Sequence, residues 1–196
     1  ILWEKRKRKG LTQFEARKLM RERNYFGSMM VENGEADALI SGISRNYRTT
    51  IKPALEVIGK QDDVKKVAGM YIMNTKKGTL FLADTTINTS PTAEELVDMS
   101  EMIVKSVKKF NITPRLALLS YSNFGSTRTE GSSKMAKATV LLKERNPNLI
   151  VEGEIQVDFA LNSEKTAGIF PFSELAEKQA NTLIFPNLES GNLAYK

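Results

Sequence analysis

Apolar positions along this chain follow two rhythms, and the changes between them mark its elements. The clearest change lies between residues 80 and 110. Leu80-Phe81-Leu82-Ala83 is a short continuous apolar run ending at Asp84, the pattern of a buried strand. Thr85-Thr86-Ile87-Asn88-Thr89-Ser90 is too polar to remain in a core. Leu96, Met99, Ile103, Val107 and Phe110 then recur at helical spacing. Ser90-Pro91 offers an N-cap and first residue for that helix, and Thr92 with Glu95 offers a competing capping box. Glu94 and Glu95 near its start and Lys105, Lys108 and Lys109 near its end suit the helix dipole. Strand, polar loop and helix in succession place ligands at the carboxyl edge of an open α/β sheet.

The same rhythm runs through the rest. Thr12 and Glu15 form a capping box for a helix to about Arg23, and a second helix covers 25–32, closed by Asn33-Gly34. Ala38-Leu39-Ile40 reads as a short buried strand ended by Ser41-Gly42. A loop over 43–49 leads to a helix over 50–58, with Pro53 expected in its first turn and Gly59 stopping it. Residues 67–74 and 79–84 flank Lys76-Lys77-Gly78 as a hairpin. Residues 116–120 form the next strand, 121–133 a polar loop, and 133–145 a basic helix stopped by Asn146-Pro147. One or two short strands fall in 150–157, a last strand in 182–185, and Gly191-Asn192-Leu193 looks like a helix N-terminus. The pattern predicts a three-layer αβα fold with a mainly parallel sheet and one antiparallel hairpin. The polar turns at Ser41, Asp84, Ser120 and Phe185 should gather at one edge, as a cradle for phosphate-bearing ligands.

Composition narrows the chemistry. The 196 residues are 41% apolar and 27% charged, and no apolar run approaches a membrane span. Lys5 to Lys9 is basic but no apolar core of a signal peptide follows, so a cytoplasmic location is expected. The chain opens on Ile1 and stops at Lys196 as a helical pattern begins, as a fragment of a longer protein would. With no cysteine and no histidine, disulfides, thiolate metal sites and the commonest general base are excluded, and no metal site is expected. The net charge of +6 suits an anionic ligand, or solubility alone. Lys5-Arg6-Lys7-Arg8-Lys9 reads as a solvated first turn more simply than as a nucleic-acid arm, because no aromatic stacking platform accompanies it. No nucleic-acid or membrane partner is expected.

Several motifs are more specific. Phe81-Leu82-Ala83-Asp84 with Asn88 and Pro91-Thr92-Ala93-Glu94-Glu95-Leu96 resembles the signature of phosphate acetyltransferases. So do Asn24-Tyr25-Phe26-Gly27, Ala36-Asp37-Ala38, the stretch from Pro114 to Ser122, and Phe185-Pro186-Asn187-Leu188 with Gly191-Asn192-Leu193-Ala194-Tyr195-Lys196. Arg45-Asn46-Tyr47-Arg48-Thr49-Thr50, Asp84-Thr85-Thr86-Ile87-Asn88 and Ser120-Tyr121-Ser122-Asn123-Phe124-Gly125 are similar to the phosphate acetyltransferase-like C-terminal domain of large bacterial NADP-dependent malic enzymes.

The resemblance implies two αβα domains related to isocitrate dehydrogenase-like folds: residues 1–58 as the end of the first, and 59–196 as most of the second. It implies acetyl-CoA and phosphate as ligands, held in a cleft between domains, and dimers formed through the second domain. NADP and a divalent metal would belong to a malic enzyme domain preceding this one in the same polypeptide.

Asn46-Tyr47 stands where the family has a Ser-Thr pair, and Lys52 where it has an arginine, which loses bidentate phosphate recognition. The family's catalytic Ser-Arg segment has no counterpart before Lys196, so no catalytic residue is assigned. The candidate acetyl-CoA or phosphate contacts are Arg45, Tyr47, Thr49 and Thr50 in one loop, and Ser120, Ser122, Asn123 and Arg128 in another. Each also has a local reading as a cap, a packed ring or a solvated charge. Asp84 and Asp158 could be general bases, but fixing their loops is the simpler role. Three functions follow: an acetyl-CoA-binding regulatory domain of a malic enzyme that oxidatively decarboxylates malate to pyruvate, an active phosphate acetyltransferase, or an oligomerisation module with a vestigial cleft.

Overall fold

A computed structural model describes residues 1–62 and 64–196. The chain divides into two compact units, Ile1–Lys65 and Lys66–Lys196.

The first unit is helical. It holds α1 (Leu2–Arg6), α2 (Gln13–Leu19), α3 (Arg23–Glu32) and α4 (Tyr47–Val57) around Leu2, Ala16, Tyr25, Met29 and Val57. The Thr12–Glu15 capping box starts α2 as expected, although the helix ends at Leu19, short of Arg23. Much of the basic run is consumed internally. Lys5 pairs with Glu32 and donates to the Val57 carbonyl, Arg6 pairs with Glu56 at 2.9 Å, and Lys7 pairs with Glu4. The Tyr25 hydroxyl donates to the other Glu56 oxygen, and its pKa is raised, chiefly by burial and then by that carboxylate.

Two expectations fail here. Ala38-Leu39-Ile40 is not a strand, and Leu39 and Ile40 are 39% and 96% exposed. A strand needs a partner for its backbone groups, and among the described residues this unit supplies none. The helix expected over 50–58 starts at Tyr47, because Asn46 caps it by accepting from the Thr49 amide at 3.0 Å. Pro53 therefore lies in the second turn, where it leaves the Thr49 carbonyl without its helical donor.

The second unit is a five-stranded sheet with helices on both faces. Its elements are β1 (Met70–Thr75), β2 (Gly78–Ala83), α5 (Ala93–Lys108), β3 (Arg115–Leu119), α6 (Glu130–Arg145), β4 (Ile150–Ile155), α7 (Val157–Ala160), α8 (Ser163–Ile169), β5 (Thr182–Ile184) and α9 (Leu188–Tyr195). The strand order is β1-β2-β5-β3-β4. Only the β1–β2 hairpin is antiparallel, with Met70 opposite Ala83 and Thr75 opposite Gly78. Alternation along the strands divides the core between the two faces. Phe81, Leu116, Leu118 and Ile184 pack under α5 and α6, while Leu82, Ala117, Leu119 and Leu183 face Phe159, Ala160 and Leu175. No helix among the described residues is long and apolar enough to cross a membrane.

Thr92, and not Ser90, caps α5, with the full Thr92–Glu95 box. Likewise Thr129 caps α6, which starts a turn before the expected Ser133, and Asn187 caps α9 four residues before Gly191. In each case a side-chain oxygen with a free amide two or three residues on fixes the start.

Glu94 on α5 pairs with Lys137 on α6 at 2.6 Å, which holds its carboxyl at about 2, well below the ordinary 4.5. Glu95 is lowered too, first by Lys66 and then by the Thr92 amide. Carboxyls depressed in the folded state stabilise it fully above their unfolded pKa, and that stabilisation is lost as pH falls through the folded value. Melting temperature should therefore fall as pH drops from 4.5 toward 2, and Glu94→Gln should flatten that fall. Scanning calorimetry across this window checks it; identical slopes for the two proteins would contradict it.

Candidate functional site

The parallel strands β2, β5 and β3 end at Ala83, Ile184 and Leu119, so the turns beginning at Asp84, Phe185 and Ser120 leave from one edge of one sheet. Ser41, expected there as well, lies in the other unit and follows no strand.

The first turn is built on Asp84, which is 3% exposed. Its Oδ1 accepts from the amides of Gly69, Thr86 and Ile87 at 2.9–3.2 Å. Oδ2 accepts from the Asn88 amide at 2.8 Å and from the Asn88 side chain at 2.5 Å. A carboxylate so enclosed by donors fixes its loop and is not available as a base. The α9 backbone lies directly against this turn at Gly191, where an added Cβ would sit 2.2 Å from the Asp84 carbonyl oxygen. At the turn after β5, Lys134 donates to the Pro186 carbonyl at 2.7 Å, and partial burial lowers the pKa of its ammonium.

The turn after β3 carries four of the candidate contacts. Ser122 is fully buried; its hydroxyl donates to Glu154 Oε1 at 2.9 Å and accepts from the Thr127 amide at 3.0 Å. Asn123 and Gln156 exchange bonds: Asn123 Nδ2 donates to Gln156 Oε1 at 2.9 Å, and the Gln156 amide donates to Asn123 Oδ1 at 2.7 Å. Ser122 and Asn123 thus tie the loop to the end of β4. Ser120 is half-buried, its hydroxyl accepting from the Ser122 amide at 3.3 Å, and Arg128 is exposed with no ion pair among the described residues. Sequence reasoning missed Glu154 and Gln156. The available signal was Glu152-Gly153-Glu154, two acids inside an otherwise strand-like run.

Next to Ser120, a cavity of about 620 Å³ opens over the second face of the sheet. Leu82, Leu119, Leu183 and Phe185 line it with apolar side chains, and Ser120 and Asn187 add polar groups. An apolar cavity with a few polar groups suits an amphipathic ligand.

The other four candidates lie in the first unit, around the start of α4. Arg45 is paired with Glu22 at 2.5 Å. The Thr49 and Thr50 hydroxyls donate to the Asn46 carbonyl at 3.0 and 3.1 Å, and Tyr47 is exposed. Arg48, in the first turn of α4, is exposed and makes no ion pair among the described residues. Asp158 pairs with Lys165, which lowers its pKa, so it too acts within its own loop.

The sequence profile of the phosphate acetyl/butaryl transferase family matches residues 1–196. The chain is 40% identical over 190 residues to an NADP-dependent malic enzyme of Escherichia coli (strain K12), covering 96% of this chain and 25% of that protein. It is 38% identical over 193 residues to a phosphate acetyltransferase of Bacillus subtilis (strain 168), covering 98% of this chain and 59% of that protein. A phosphotransacetylase structure from Streptococcus pyogenes superposes with a TM-score of 0.83 at 38% identity, over 96% of this chain and 58% of that one. The chain therefore spans little more than half the length of these acetyltransferases and a quarter of the malic enzyme. With a match running from the first residue to the last, and a mostly parallel sheet shared with phosphotransacetylases, this chain belongs to the phosphate acetyl/butaryl transferase family.

Proposed function

We propose that this chain is the acetyl-CoA-binding part of an NADP-dependent malic enzyme, and that acetyl-CoA bound here alters the oxidative decarboxylation of malate. The observation that carries this reading is the 620 Å³ cavity, apolar where Leu82, Leu183 and Phe185 line it and polar at Ser120 and Asn187. Its volume lies in the small-molecule range, and its division of character matches an acyl-pantetheine arm, which is apolar at the thioester and carries amides along its length. A regulatory role is favoured over transfer because Asp84, the buried acid at this edge, is committed to backbone amides.

On this reading NADP and the divalent metal belong to the malic enzyme domain and not to this chain.

The test is a titration of the full-length protein with acetyl-CoA while malate oxidation is followed. Malate kinetics should change saturably, and Ser120→Ala should raise the half-effect concentration about fivefold, the loss of one neutral hydrogen bond in the cavity. Kinetics unchanged through saturating acetyl-CoA would overturn the proposal. The phosphate acetyltransferase relatives favour a second reading, acetyl transfer between CoA and phosphate. Phosphate-dependent release of CoA thiol above background would support that reading and displace the first.

A further inference from the structure

Among the described residues, the wall of the apolar cavity carries no charged side chain; its polar side chains are those of Ser120, Tyr121, Asn187 and Ser190. An ionised phosphate taken into such a space would lose its hydration without gaining a counter-charge. The acyl-pantetheine arm of an acetyl-CoA molecule can therefore enter, while the nucleotide end has to stay at the mouth, in water.

Tyr121 and Val157 both line the cavity and are both exposed, at 59% and 47%. Scattered apolar groups on a surface need no explanation, but these two are fixed side by side. The Tyr121 hydroxyl shares a hydrogen bond of 2.7 Å with Thr129 Oγ1, on the residue that caps α6. The Tyr121 carbonyl accepts from Gln156 Nε2 at 2.6 Å, and Gln156 is the residue before Val157, at the start of α7. The ring is thus held at both ends, through its hydroxyl by α6 and through its backbone by the chain leaving β4.

An aromatic ring fixed in water beside an apolar cavity is a stacking platform, and a planar heteroaromatic base is the kind of group it holds. We propose that Tyr121 stacks on the adenine of acetyl-CoA, with Val157 beside the base, so that the site selects nucleotide-bearing thioesters over the same pantetheine arm on another carrier. This rests on the acetyl-CoA reading of the cavity. Tyr121 touches only the nucleotide end and leaves the acyl group to the cavity.

Calorimetric titration of the full-length protein with acetyl-CoA and with S-acetylpantetheine tests this. A third ligand, acetyl-CoA with a fluorescent etheno bridge on its adenine, reports stacking directly, because contact with a tyrosine ring quenches it. S-acetylpantetheine, which lacks the nucleotide, should bind at least about tenfold more weakly than acetyl-CoA, as one stacked base is worth that much. Tyr121→Leu should weaken acetyl-CoA about tenfold, abolish the quenching and leave S-acetylpantetheine unchanged. Tyr121→Phe keeps the ring but gives up Thr129, and should retain the quenching and most of the affinity. A tyrosine that served only to tie its loop to α6 would make the two variants alike and weaken both thioesters. Equal losses in the two variants, undiminished acetyl-CoA binding in Tyr121→Leu, or binding without quenching would each overturn the stacking and leave the acetyl-CoA reading standing. No binding of acetyl-CoA by the parent protein would overturn that reading, and the stacking with it.

Discussion

Replacing Asp84 by alanine is expected to lower the stability of the second unit by on the order of 4 kcal/mol, since each buried donor left unpaired costs about 1–3 kcal/mol before relaxation and water entry offset part of it. The substitution strands the amides of Gly69, Thr86, Ile87 and Asn88 together. Asp84→Asn should cost about half as much, on the order of 2 kcal/mol. Its carbonyl oxygen can still serve Gly69, Thr86 and Ile87, but its NH2 then opposes the Asn88 donors. Urea unfolding of the three proteins checks the ranking. A Asp84→Ala variant within 1 kcal/mol of the parent would mean that the turn is not built on this side chain.

Gly191→Ala should also be costly, although helix propensity alone favours alanine by about 1 kcal/mol. The new Cβ would lie 2.2 Å from the Asp84 carbonyl oxygen and 3.3 Å from the Thr85 Cα, both backbone atoms that cannot rotate aside. Overpacking of this kind typically costs about 1–3 kcal/mol, and a contact this short puts the net loss near 3 kcal/mol. Gly131→Ala on α6 is the control, because a Cβ there meets nothing within 4 Å. That change should leave stability equal or raise it by up to about 1 kcal/mol. If both alanines behaved alike, the close approach of α9 to the Asp84 turn would be wrong.

The sheet was legible because β2, β3 and β5 fall in short apolar runs, while β1 and β4 lie within the strand-like stretches 67–74 and 150–157. Helix starts were legible to within a turn, since competing caps such as Ser90 and Thr92 differ only in which side chain reaches a free amide. Ala38-Leu39-Ile40 misled because an apolar triad shows strand character but not whether a neighbouring strand exists to pair with it. The short helices α7 and α8 carry four and seven residues, too few for a helical period to register. At the site, the loop after β3 was visible as a polar stretch, but the use of its side chains was not. Ser122 and Asn123 are bound to Glu154 and Gln156, residues 32 and 33 positions away, and local pattern carries no trace of such pairings. Arg45 is similarly spent on Glu22, leaving Arg48 as the available charge of that loop.

The position of β5 governs how the second unit can assemble. This three-residue strand is the last of the five in sequence and the most central, and it supplies every ladder joining the β1–β2 hairpin to the β3–β4 pair. Phe81 waits for Thr182, so closure joins segments about a hundred residues apart, a long-range step that slows folding. On the ribosome, the growing chain carries two half-sheets with open, apolar borders until that strand emerges, and this interval is when it is most exposed to aggregation.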